Sequence, residues 1–264
     1  MARVSPVDIP APVGLGRDTV VRRAARAALA STLWDARGRR RLPAERALVA
    51  ALEACDPRDV WWVCEMASVG PVYLLPTRPW VRALADFIDA LGVTRVLEVA
   101  AGDGFLSRCL RAARPALTVV ATDSGGWARP EARMREDERR TYRGVAVPGL
   151  APGGDVERLS AARAVAKHRP ELVVVSWAPP GTLVERVIRQ PVRYVLDLGV
   201  DGDVCGNGTK TWRFQKELLD GPIESRALCR LDARPRDARH TRATLYYGGA
   251  HPEHGVERHP PVRR

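Results

Sequence analysis

Four short apolar runs constrain this chain most: Arg95–Val99, Thr118–Thr122, Leu172–Ser176 and Tyr194–Leu198. Each is rich in Val and Leu and too short for a helix, as strands buried on both faces are. Segments of helical periodicity lie between most of them: Phe105–Ala113, Ser160–His168 and Leu183–Arg189. Strands alternating with helices predict an α/β fold, doubly wound around a mostly parallel sheet. Arg226–Asp232 and Arg242–Tyr247 alternate apolar and polar residues instead, which predicts an antiparallel hairpin at the sheet edge.

Over residues 18–67 the pattern is helical. Asp18-Thr19 can cap a first helix, a second fits after Pro43, and a third covers Val60 to Ala67. The expected layout is an arm over 1–17, a helical cap over 18–77, an α/β domain over 78–249 and a loose tail over 250–264. The arm is broken by Pro6, Pro10 and Pro12 and lacks the apolar core of a signal peptide. No apolar stretch reaches membrane-spanning length. The five cysteines show no CxxC pair and are odd in number, so a disulfide framework or zinc knuckle is not expected. Reduced thiols in a cytoplasmic protein are the expectation.

The net charge of +11 invites a nucleic-acid reading. Yet only Lys167, Lys210 and Lys216 are lysines, leaving 39 arginines among 42 basic residues. They are dispersed, with Arg39-Arg40-Arg41 the longest run. A broad compositional bias accounts for them without a nucleic-acid ligand, which is therefore allowed but not favoured.

The sharpest local signal is Val96-Leu97-Glu98-Val99-Ala100-Ala101-Gly102-Asp103-Gly104-Phe105-Leu106, a strand running directly into a helix. Small residues at such a turn let a ligand approach the backbone closely. The acid at the strand end can accept hydrogen bonds from a ligand. The loop is not GxGxxG, since Phe105, Leu106 and Ser107 follow Gly104. A nicotinamide enzyme is disfavoured on that ground. The next strand ends in Asp123, 19 residues past Gly104. In a right-handed β-α-β unit that carboxylate can reach a ribose bound over the glycine loop.

The pattern ExAxGxG, with Asp123 one strand on, resembles motif I of class I S-adenosylmethionine (SAM)-dependent methyltransferases. Ala100 stands where the first glycine of that motif usually is. The resemblance implies a Rossmann-like, seven-stranded sheet and SAM as cofactor, leaving S-adenosylhomocysteine as product. It implies cofactor contacts from Glu98, Ala100, Ala101, Gly102, Asp103, Gly104, Asp123 and Ser124. It also implies an acid near the end of the third strand for the adenine amine, here Asp155 beside Val156. Ser176 at the fourth strand end and an upstream aromatic, Tyr73, complete the implied cofactor set.

The acceptor site is expected at the carboxyl ends of strands four and five, where ligands of doubly wound sheets bind. Trp177, Asp201, Asn207 and Trp212 are its candidates. Ser176-Trp177-Ala178-Pro179-Pro180-Gly181 is not the (D/N)PP(Y/F/W) motif of amino-methylating DNA enzymes, which disfavours base methylation. No histidine falls at the expected end of the sheet, so positioning rather than a histidine base is the expected source of rate. The favoured reading is methylation of a small molecule or specialised metabolite. An RNA or protein methyltransferase and a non-enzymatic SAM-fold binding module are the alternatives. The oligomeric state stays open, a dimer included, and no metal is expected.

Overall fold

The computed structural model describes residues 7–12, 16–129, 146–179, 181–199, 205, 208–219 and 242–255. Three helices open the chain: α1 (Val20–Leu33), α2 (Glu45–Glu53) and α3 (Pro57–Met66). Their starts are chemically marked. The Thr19 hydroxyl accepts from the Arg22 amide, 3.2 Å, and the Asp56 carboxylate accepts from the Arg58 amide, 2.9 Å, with Pro57 in the first turn. These caps satisfy amides that a helix start leaves bare. Leu29, Leu33, Leu48, Leu52, Val60 and Val63 bury a shared core. Val72 and Leu75 of the following segment join it, which fastens the cap to what comes next.

The α/β part contains α4 (Arg78–Ala90), β1 (Arg95–Val99), α5 (Phe105–Ala113), β2 (Thr118–Asp123), β3 (Glu157–Arg158), α6 (Ala161–His168), β4 (Leu172–Ser176), α7 (Leu183–Ile188), β5 (Tyr194–Gly199), the one-turn α8 (Gly208–Thr211), β6 (Lys216–Leu218) and β7 (Arg242–Tyr247). The sheet order is β3-β2-β1-β4-β5-β7-β6. β3, β2, β1, β4 and β5 are mutually parallel, while β7 runs antiparallel to both β5 and β6. This is the mostly parallel, seven-stranded sheet with an antiparallel edge that the resemblance implies.

Successive strand residues face opposite sides, and the two sides are filled separately. Val96, Val119, Leu172, Val174 and Leu196 meet α4 and α5 through Trp80, Val81, Leu84 and Leu110. Leu97, Val99, Val173, Val175 and Val195 meet α6 and α7 through Ala164, Val165, Val184 and Ile188. Because β1, β4 and β5 are covered on both faces, their residues apart from the terminal Arg95 and Ser176 are uncharged and mostly Val or Leu, save Glu98 and Asp197, which both return below.

Three expectations need correction. Asp155 and Val156 precede β3 rather than end it, because the strand is only Glu157–Arg158, paired with Thr122 and Asp123. The edge partner of Arg242–Tyr247 is Lys216–Leu218; Arg226–Asp232 lies outside the described residues. The tail does not start loose at 250. The Ala250 amide donates to the Val192 carbonyl, 2.9 Å, and the His251 ring stacks on Tyr247 at 4.1 Å.

Candidate active site

The loop between β1 and α5 is curled by three residues in the left-handed region: Ala100 (φ 54°), Gly102 (φ 55°) and Gly104 (φ 73°). Gly104 is the residue that starts α5. Glycine enters this region freely, whereas an alanine is strained there by about 1–2 kcal/mol. Ala100 therefore occupies a glycine conformation, which agrees with its place in the motif. Replacing Ala100 by Gly is expected to leave ligand affinity equal or higher and thermal stability within about 1 kcal/mol of wild type, relieved strain offsetting added unfolded-state entropy. Weakened binding in titration would show that the methyl group itself is needed.

Several bonds hold the curl. The Gly102 amide donates to Asp123 Oδ2 at 3.0 Å, and the Gly125 amide donates to Asp123 Oδ1 at 2.6 Å. Asp123 thus lies directly against the glycine loop, half-buried. Ser124 is exposed, its hydroxyl accepting from the Gly126 amide at 3.4 Å. Asp103 Oδ1 accepts from the Phe105 amide at 3.0 Å, which fixes the first turn of α5.

Glu98, which the resemblance implies as a cofactor contact, supports the loop from inside the fold. It is 3% exposed, and its Oε2 accepts from the Ser107 amide (3.0 Å) and the Ser107 hydroxyl (2.6 Å). Burial pushes this carboxyl up to about 7, against the pull of the Ser107 bonds. Asp155 is likewise occupied: it accepts from Arg108 Nη1 at 2.9 Å and from Arg111 Nη2. It braces α5 through both arginines. Val156 and Ala101 pack together with Ala121 beneath the loop.

The segment 147–156 crosses the glycine loop as a strap. The Gly153 amide donates to the Gly102 carbonyl, 3.3 Å, and the Leu150 amide donates to the Trp127 carbonyl, 2.9 Å. The crossing is so close that a Cβ on Gly153 would sit 2.3 Å from the Asp103 carbonyl oxygen. A Cβ on Gly102 would meet Leu150 Cδ2 at 2.8 Å. Leu150 is therefore the side chain that a ligand settling over Gly102 would displace. A Gly102→Val substitution would strain backbone and strap together.

At the carboxyl end of β4 the structure joins two residues that the sequence offered separately. Tyr73 and Trp177 stack with ring centroids 5.7 Å apart and planes at 28°. Trp177 has φ 53°, a strained value for a bulky residue. Its amide donates to the Leu198 carbonyl of β5, 2.7 Å. Ser176 precedes it, half-buried at the strand end. Trp212 is not part of this wall: it is 41% exposed, with Lys216 Nζ 4.6 Å over its ring. Asp201 and Asn207 lie outside the described residues.

Two groups escaped the sequence reading. Asp197 of β5 sits in register between Val175 of β4 and Thr244 of β7. Its Oδ1 is buried with no hydrogen-bond partner among the described residues. Burial pushes this carboxyl up to about 7. Arg40 crosses from the cap to within 3.8 Å of Asp103. The charged residue inside Tyr194–Leu198 was a signal for the first; an undistinguished member of Arg39-Arg40-Arg41 gave none for the second. Among the described residues no cluster of His, Cys, Asp and Glu could hold a metal ion. No described helix is long and apolar enough to cross a membrane.

No family model matches this chain, and no curated protein matches it in sequence. Solved structures that resemble it include magnesium protoporphyrin IX methyltransferase from Synechocystis PCC 6803, with 12% identity and TM-score 0.36 over 65% of this chain and 83% of that one. A human methyltransferase 10 domain containing protein gives 11% and 0.38 over 74% and 96%. The CurJ carbon methyltransferase gives 12% and 0.41 over 86% and 67%. The strand order and the loop geometry stand without these distant likenesses.

Proposed function

We propose that this protein is a SAM-dependent methyltransferase acting on a small molecule or specialised metabolite. The observation that carries this reading is the glycine loop: three left-handed residues at alternating positions, with the Asp123 carboxylate bonded to its central amide. The chain's residues fit SAM. Gly102 and Gly104 carry no Cβ, so over Gly102 only the flexible Leu150 side chain, 2.8 Å from where a Cβ would stand, has to give way to a ligand, and Asp123 can receive ribose hydroxyls by trading its backbone partners. Ala101, Val156 and Ser176 would flank the nucleoside, and Asp103 its other end. SAM, when bound, supplies a methyl group on a positively charged sulfur.

The chain's own contribution is positional. The Tyr73–Trp177 stack gives an acceptor a flat apolar wall at the end of β4, and holding acceptor and methyl in line lowers the barrier without covalent chemistry. An aromatic wall also favours the cationic sulfonium. Several guanidiniums are already spent within the fold: Arg22 and Arg26 on Asp59, Arg39 on Asp35, Arg114 on Asp86 and Asp89, and Arg213 on Glu185. That internal use of charge supports a small acceptor over RNA.

Calorimetric titration with SAM and S-adenosylhomocysteine tests the proposal; well-folded protein that binds neither would end it. Asp123→Ala is expected to weaken both by about 10- to 100-fold, the worth of hydrogen bonds to a charged group. Transfer of label from methyl-labelled SAM into a metabolite extract separates an enzyme from a binding module. A gel shift that weakens with salt would instead favour an RNA acceptor.

A further inference from the structure

We propose that Arg40 and Asp103 together receive the amino-acid end of the cofactor, the guanidinium taking its α-carboxylate and the Asp103 carboxylate its α-ammonium. This rests on the methyltransferase reading and adds the part of the ligand that the cap recognises.

Arg40 is held in place by its backbone. Trp34 and Arg40 form an antiparallel bridge, and the Arg41 amide donates to the Leu33 carbonyl at 2.8 Å. The side chain leaves the cap and crosses toward α5. Its guanidinium lies 4.3 Å over the Phe105 ring, and Nη2 donates to the Leu74 carbonyl at 3.3 Å. Nη1 stands 3.8 Å from Asp103 Oδ2, too far for a hydrogen bond. Nε is buried with no hydrogen-bond partner among the described residues. The side chain is only 13% exposed.

A guanidinium has five N–H donors, and a buried one left this poorly matched is costly. Burial lowers its proton affinity, with the Asp103 charge opposing that. Asp103 is equally unfinished. Its Oδ1 takes the Phe105 amide, but among the described residues Oδ2 has only distant cations, Arg40 at 3.8 Å and Arg108 at 3.9 Å. A cation and an anion held close but not bonded match the two charges of an α-amino acid.

The position agrees with the chemistry. A ligand whose ribose rests on Asp123 reaches the Gly102 amide, which Asp123 already contacts, and Asp103 is the next residue. Arg40 and Asp103 both line a cleft of about 830 Å³ between the cap and the glycine loop. Phe105 and Leu150 line it too, beside the charged Arg39, Arg108 and Asp155. The cleft thus combines apolar surface with charges of both signs, as a zwitterionic ligand end requires.

The test is calorimetry of the full chain with two ligands, S-adenosylhomocysteine and 5′-deoxy-5′-methylthioadenosine, which lacks the amino-acid end. Wild type should bind the first more tightly. Arg40→Met should weaken S-adenosylhomocysteine by about 10- to 100-fold and leave the truncated nucleoside within about twofold. Arg40→Lys, which keeps the charge but not the fork, should fall between. Equal losses for both nucleosides in variants with a wild-type melting curve would overturn the assignment, as would no loss for either. A wild-type chain that binds neither fails the methyltransferase reading itself and is recognised before any variant is made.

Discussion

Asp59→Ala should destabilise the protein by about 3–5 kcal/mol, the usual cost of stripping a buried charge from its partners. Asp59 is fully buried in α3 at 0% exposure. Its Oδ2 accepts from Arg22 Nε at 2.8 Å, and its Oδ1 accepts from Arg22 Nη2 at 2.9 Å. Arg26 Nη1 donates to Oδ1 at 3.2 Å as well. The pair with Arg22 is bidentate, the geometry in which a guanidinium and a carboxylate match best. Alanine would leave the half-buried Arg22 and the buried Arg26 facing a void, with only Asp18 to answer Arg26, at 2.7 Å. Since α1 and α3 share one core, the loss spreads through the cap. For a chain of this size the expected fall in melting temperature is about 10 °C. Asp59→Asn keeps the volume and one acceptor, and should cost less than half as much. A melting curve unmoved by Asp59→Ala would show that packing alone holds the cap.

This cluster bears on the site because the cap carries Arg40 and leads into Tyr73. Arg40 reaches Phe105 and Asp103 from the cap, so its placement depends on the cap being rigid. Asp59→Ala is therefore expected to weaken S-adenosylhomocysteine binding without touching any residue of the glycine loop. Titration at a temperature where the variant remains folded measures that coupling.

The strands were legible because burial on both faces leaves only Val and Leu-type residues, a signal that survives without an alignment. The glycine loop was legible because its needs are local: small residues, a strand before and a helix after. Where the sequence misled, the deciding contact was non-local. Glu98 reads as an open acid until α5 brings Ser107 back over it. Asp155 reads the same way until Arg108 and Arg111 close on it. Tyr73 was visible as an aromatic upstream of α4 and Trp177 as one at a strand end, but their stacking depends on how the cap settles on β4. Edge strands fail for a different reason. Lys216–Leu218 has a solvated face and a short span, so it lacks the apolar run that marks a central strand. β3 is two residues long and carries no periodicity at all. Asp197 stood out only as one charge in an apolar run, a signal that does not say whether the carboxyl ends up buried.

That charge yields a second prediction. At pH 8, Asp197→Asn should be more stable than wild type by about 2–4 kcal/mol. An aspartate in the unfolded chain titrates near 3.8, whereas burial pushes Asp197 up to about 7. Between those values the unfolded chain has lost the proton and the native one keeps it. Stability therefore falls as pH rises through that window, is flat above it, and is untouched by this group below it. Each unit of difference is worth about 1.4 kcal/mol, and partial exposure of the residue trims the total. The asparagine does not titrate, so its advantage should be absent near pH 4 and fully developed by pH 8. Melting curves across that range would read it as a gain of about 5–10 °C at the upper end. An advantage that does not change with pH would show that the carboxyl ionises freely in the native state. The position gives the measurement a second use. Asp197 lies beside Val175, one residue before Ser176 and two before Trp177, at the end of the sheet where the acceptor is expected. Polar groups kept at a cost in stability concentrate at working sites. If Asp197→Asn gains stability but loses methyl transfer, the acid is maintained for the reaction; if transfer is unchanged, it is a structural cost with no return.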